Sequence, residues 1–145
     1  MHTIKVSEFF EAAHRIPDNE YLVTKQCSRL HGHTYLANIT IEANNKENGF
    51  VVDFAKIKNI VKQLDHKTIL YTADVLVQAI SAVDDKAQGH SSVVEFQEYP
   101  TAENIAQWIS EQIAKQLGLF AKVDLCEGYH GSERTNWVSF GEMRN

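Results

Sequence analysis

The chain has 145 residues, 43% hydrophobic and 23% charged, with a net charge of −5. That length fits one domain over residues 1–145 with a core of its own, and the composition excludes disordered, collagen-like and low-complexity classes. The negative charge argues against a sequence-independent binder of nucleic acid or of a membrane surface, and no apolar run approaches the ~20 residues that span a bilayer.

In chain order, Ile4, Val6, Phe10 and Ala12 share one parity, which predicts a strand with room for a bulge near Phe9. The same alternation at the N-terminus is unlike a signal peptide, so Cys27 and Cys126 are expected as reduced thiols in a cytoplasm. Pro17-Asp18-Asn19-Glu20 reads as a loop. Residues 33–43 alternate cleanly, with Tyr35, Ala37, Ile39 and Ile41 on one face, as in a half-buried antiparallel strand. Asp53 is placed to cap a helix whose Ile57, Ile60, Val61 and Leu64 fall on one face. Residues 74–83 predict a second, shorter helix, 84–92 a polar loop, and 93–96 a short strand. The clearest helix is 101–117, capped by Thr101, lined by Ile105, Trp108, Ile109, Ile113 and Leu117, and stopped by Gly118. Strands over 121–129 and 134–140 close the chain. The fold class expected is α+β: a four-stranded antiparallel sheet with two main helices on one face.

His31-Gly32-His33 is the strongest chemical signal. Two imidazoles two residues apart on a strand point the same way and can meet one ion. His14 ends the first strand on a consistent parity, and hairpin pairing of the two strands would bring it to the same point. Three neutral imidazoles suit Zn²⁺ and leave one coordination position open, as in catalytic sites. The plainer reading of an isolated H-x-H is two polar strand residues. Cys27 lies four residues before His31 and can serve as a base or nucleophile, or simply pack. Asp65-His66 can be an oriented imidazole or a solvated helix end. Glu127 shares the parity of Val123 and Leu125; it either accepts paired N–H groups from an amidine-like ring edge or ends its strand in solvent.

Five segments, taken together and in order, resemble the 6-pyruvoyl-tetrahydropterin synthase family. They are Phe10-Glu11-Ala12-Ala13-His14, Cys27-Ser28-Arg29-Leu30-His31-Gly32-His33, Gly49-Phe50-Val51-Val52-Asp53-Phe54, Leu64-Asp65-His66-Lys67 and Pro100-Thr101-Ala102-Glu103-Asn104. The three residues between Cys27 and His31 resemble the spacing of the 6-carboxy-5,6,7,8-tetrahydropterin synthase branch, which serves queuosine (7-deazaguanine) biosynthesis. The resemblance implies conversion of 7,8-dihydroneopterin triphosphate to 6-carboxytetrahydropterin, with release of acetaldehyde and triphosphate. It implies His14, His31 and His33 as zinc ligands, Cys27 as the catalytic thiol, Asp65 and His66 as its proton-transfer partners, and Glu127 as the anchor of the pterin ring. Arg29, with Arg15 and Lys25, is the cation nearest in sequence for the triphosphate. The implied fold is the tunnelling fold, typically a hexamer of two trimers with sites between subunits, so that Cys27 and the Asp65–His66 pair can come from neighbouring chains.

Three departures from the family pattern stand out. Ile69-Leu70-Tyr71 stands where the family has Asn; Gly128 follows Glu127 where Thr is usual; and residues 71–92 make a longer connection. The first two touch the implied pocket and bear on substrate identity. The alternatives are a pyruvoyl-forming or other pterin side-chain lyase, and a non-enzymatic pterin or purine binder whose zinc is structural.

Overall fold

The computed structural model describes residues 1–131 and 135–142. Two long strands, β1 (His2–His14) and β2 (His31–Ala43), form an antiparallel hairpin in one-to-one register from His2↔Ala43 to His14↔His31. No bulge interrupts it, so the buried parity runs unbroken through Val6, Phe10, Ala12 and His14 on β1 and Tyr35, Ala37, Ile39 and Ile41 on β2. Phe9, of the opposite parity, is exposed.

Asp53 accepts from the Ala55 N–H and starts α1 (Phe54–Val61); a 3₁₀ turn, Lys62–Leu64, then leads into β3 (Lys67–Tyr71). Asp74 caps α2 (Val75–Gln88), which is followed by β4 (Val93–Phe96). Thr101 caps α3 (Ala102–Leu117), and Gly118 ends it in the left-handed conformation. The chain closes with β5 (Ala121–Glu127) and β6 (Asn136–Phe140); Arg134, assigned to the last strand from sequence, lies outside the described residues.

The sheet corrects the four-stranded antiparallel expectation. It has six strands in the order β4-β3-β1-β2-β5-β6, and β3 runs parallel to both β1 and β4. β3 is hard to read from sequence because Ile69 and Leu70 are both fully buried, which removes the alternation of a half-exposed strand. Among the described residues there are three helices of eight or more residues rather than two main ones. α2 continues through Asp84–Gln88, where the sequence reads as a loop, because its polar residues there are a mostly exposed helical face.

α1 packs on β1, and α3 packs on β5 and β6. The core lies between them: Ile57, Ile60, Val61 and Leu64 from α1 and its 3₁₀ extension, and Ile105, Ile109 and Ile113 from α3, against the buried faces of β1, β2 and β5. At roughly 1.5–3 kcal/mol per buried aliphatic or aromatic side chain, this layer dominates the stability of the fold. Its effect on function is positional. It fixes the ends of β1, β2 and β5 side by side, and the chemically interesting residues lie there.

Candidate active site

The register does for the histidines what sequence parity requires. His14 faces His31 directly across the hairpin, and His33 lies two residues along on the same side. One ring nitrogen from each of the three lies within 4.8 Å of the others, a geometry able to hold a metal ion. The donor set fits one for three further reasons. First, His14 Nδ1 is 2.8 Å from the Pro100 carbonyl and His31 Nδ1 is 2.7 Å from the Arg29 carbonyl. Carbonyls only accept, so both Nδ1 atoms carry the proton and both Nε2 atoms present lone pairs. Second, those two Nε2 atoms face each other at 3.0 Å, a repulsive contact unless a cation lies between the rings and the space they enclose. Third, His33 Nε2 is buried with no hydrogen-bond partner and sits 3.5 Å from Glu127 Oε1. Backbone carbonyls that fix the tautomer of metal-binding imidazoles are the usual outer-shell arrangement.

Burial favours the neutral, ligating form of two of the rings. Burial lowers the His14 pKa to about 4, and the nearby His31 and His33 add to that against the opposing Pro100 hydrogen bond. Burial also lowers that of His33, helped by His31 and His130. Tyr35, fully buried, stacks on Phe10 and brings its hydroxyl to 3.4 Å from His14 Nδ1.

Asp65 and His66, adjacent in sequence, do pair with each other: Asp65 Oδ2 is 2.9 Å from His66 Nδ1. The backbone of Glu11 enforces this. Its N–H donates to Asp65 Oδ1 at 2.8 Å, and its carbonyl accepts from the His66 N–H at 2.7 Å. The clamp holds His66 at φ 59°, a left-handed conformation that a non-glycine residue seldom adopts, and leaves its side chain 82% exposed. Burial acts to raise the Asp65 pKa, but the Glu11 N–H, His66 and Lys62 outweigh it and hold the carboxylate ionised. A cleft of about 620 Å³ opens here, lined by Glu11, His33, His66, Lys67, Gly128 and His130 among others. Cys27 is not part of that lining.

Cys27 lies half-buried in a short 3₁₀ turn, Lys25–Ser28, and its carbonyl accepts from the Ile16 N–H at 2.9 Å. Cys126 is fully buried, as a packing thiol should be. Glu127 ends β5 on the core side, where burial raises its pKa; His31 opposes that shift and Glu103 reinforces it. Gly128 follows at φ 72°, and a Cβ there would lie 3.7 Å from both His33 Nδ1 and His130 Nε2. The chain beyond Gly128 brings His130 into the lining of the cleft.

Of the three cations nearest in sequence, two are engaged elsewhere. Arg15 forms a two-pronged ion pair with Asp74, Nε to Oδ2 at 2.6 Å and Nη2 to Oδ1 at 2.5 Å. Lys25 pairs with Asp18 at 3.0 Å. Arg29 remains an exposed side chain beside the metal-ligand set. Sequence reasoning missed Asp74, Pro100, Tyr35 and His130. A main-chain carbonyl leaves no mark on sequence, and Arg15 and Asp74 are 59 positions apart. Only Tyr35, which continues the parity of His31 and His33, had a signal that could have found it.

Residues 3–140 match the protein family described as 6-pyruvoyl tetrahydropterin synthase. The chain is 35% identical over 116 residues to the 6-carboxy-5,6,7,8-tetrahydropterin synthase of Rickettsia bellii, covering 74% of this chain and 77% of that protein. It is 31% identical over 128 residues to the dihydroneopterin monophosphate aldolase of Pyrococcus furiosus, covering 86% and 85%. A crystal structure of an uncharacterized Wolinella succinogenes protein superposes with a TM-score of 0.67 at 22% identity, over 94% of this chain and 97% of that one, and shows the fold to be shared.

Proposed function

The chain belongs to the 6-pyruvoyl tetrahydropterin synthase family, and from that premise we propose that it is a zinc-dependent lyase of the queuosine pathway. Its reaction converts 7,8-dihydroneopterin triphosphate and one water to 6-carboxy-5,6,7,8-tetrahydropterin, acetaldehyde and triphosphate. The observation that carries the reading is the imidazole triad and the paired Asp65–His66 in one chain, which also keeps Cys27 and resembles proteins named for that activity.

His14, His31 and His33 would hold Zn²⁺, which when bound would supply a Lewis acid for the oxygens of the substrate side chain. The protein residues do the rest. Cys27, as thiolate, takes a proton from the carbon next to the ring. His66, held in one orientation by Asp65, moves a proton on the opposite side. Glu127 accepts the paired N–H groups of the pterin edge and so fixes the reacting carbons against both. Arg29 receives the triphosphate. Because the cleft lining omits Cys27, the reading includes a thiol and an Asp–His pair contributed by different copies of the chain, in a homohexamer built from two trimers. It acts in the cytoplasm on a small-molecule substrate.

A second reading has a specific support: the aldolase relative aligns with more of the chain than the Rickettsia protein does. In it the same site cleaves the side chain of a dihydroneopterin phosphate. Zinc-loaded protein given dihydroneopterin triphosphate, or the monophosphate, separates the two by product mass. A 6-carboxytetrahydropterin mass with acetaldehyde supports the first. A hydroxymethyl-dihydropterin product supports the second. Ligand binding with no turnover of either substrate would leave only a pterin-binding protein.

A further inference from the structure

We propose that the Arg15–Asp74 pair is a positioning device for the reacting thiol, and that it couples the β3–α2 junction to the metal end of the sheet. Arg15 directly follows the metal-ligand His14, and directly precedes Ile16, whose N–H holds the Cys27 carbonyl. The backbone from His14 to Ile16 is therefore the shortest mechanical link between the imidazole triad and Cys27. Two side chains in that link are anchored away from the hairpin: the His14 ring on the Pro100 carbonyl, and Arg15 on the Asp74 carboxylate.

The anchor is built to be rigid. The Asp74 side chain is 1% exposed, and both of its oxygens are used. Oδ1 accepts from Arg15 Nη2 and from the Leu76 N–H at 2.9 Å, which caps α2; Oδ2 accepts from Arg15 Nε. A bidentate guanidinium–carboxylate contact fixes orientation as well as distance. α2 itself buries only Val77 and Asp84, and the Asp74 carboxylate ties its first turn to Arg15 at the end of β1. An arginine that the sequence offers as a triphosphate ligand is instead held inward, and it orients the arm that carries the thiol.

The test uses zinc-loaded full-length protein. Asp74→Asn keeps a capping oxygen for α2 but removes the charge; Arg15→Met combined with Asp74→Asn avoids leaving an unpaired charge if the single variant folds poorly. Cys27 and Cys126 are then alkylated with iodoacetamide and the labelled peptides quantified. Cys126 is fully buried and reports global opening. The expected result is that Cys27 labels at least about fivefold faster in the variants while Cys126 stays protected, the signature of a local rather than global loosening. Labelling of Cys27 within twofold of the parent overturns the proposal, as does a rise in Cys126 labelling that matches that of Cys27. The kinetic arm rests on the reading of Cys27 as the reacting thiol: kcat should fall about tenfold or more with KM nearly unchanged. Since alkylation needs no substrate, a parent protein that turns over no pterin would overturn that reading and leave the labelling result to decide this one.

Discussion

At the scale of single residues, the roles proposed for the three histidines and for Cys27 are separable by substitution. His31→Ala removes one of three ligands and should abolish stoichiometric zinc, read by metal analysis after dialysis. Cys27→Ala should keep one zinc per chain and lose turnover; loss of zinc there would make the thiol a ligand instead. The metal-free protein should also show the cost of burying an imidazole. His14 has a folded-state pKa of about 4 against an ordinary value of 6.5. Between those values the unfolded chain takes up the proton and the folded chain does not. Stability therefore falls as pH is lowered from about 6.5 toward 4. Thermal unfolding of chelator-treated protein should show a steeper fall over that window for the parent than for His14→Gln; equal slopes would show that His14 does not carry the effect.

At the scale of elements, the parts legible in sequence are those that alternate or repeat with a single exposed face. The β1–β2 hairpin, α1 and α3 follow directly from the parity of Val6 to His14, of Tyr35 to Ile41, and from the helical spacing of Ile57 to Leu64 and Ile105 to Ile113. The grouping of the three imidazoles was legible for the same reason, since His14, His31 and His33 extend those parities. β3 was not, because a strand buried on both faces shows no alternation. Nor was the clamp on Asp65–His66, which consists of backbone groups of Glu11. The turn after β5 gives an element-scale prediction. Gly128 has room for a Cβ but sits at φ 72°, so Gly128→Ala should cost about 1 kcal/mol from backbone strain alone. Urea unfolding measures it. A loss of several kcal/mol would mean that steric crowding against His33 and His130 matters more than conformation.

For the molecule as a whole, the sheet has β4 and β6 as its edge strands among the described residues, with Trp137 of β6 exposed. The proposed hexamer predicts a sedimentation mass of six times 16.5 kDa; a monomer would require the whole site to be assembled within one chain. The imidazole triad reaches beyond the sheet in another way. Two of its rings are oriented by carbonyls that lie outside any strand, those of Arg29 and Pro100. An ion that locks the rings thereby also stiffens the stretch from Arg15 to Leu30 and the approach to α3. Occupancy then becomes visible to a protease. Trypsin should cut at exposed Lys25 and Arg29 readily in the stripped protein and slowly once zinc is restored, so that a digestion gel reports how much of a preparation is loaded.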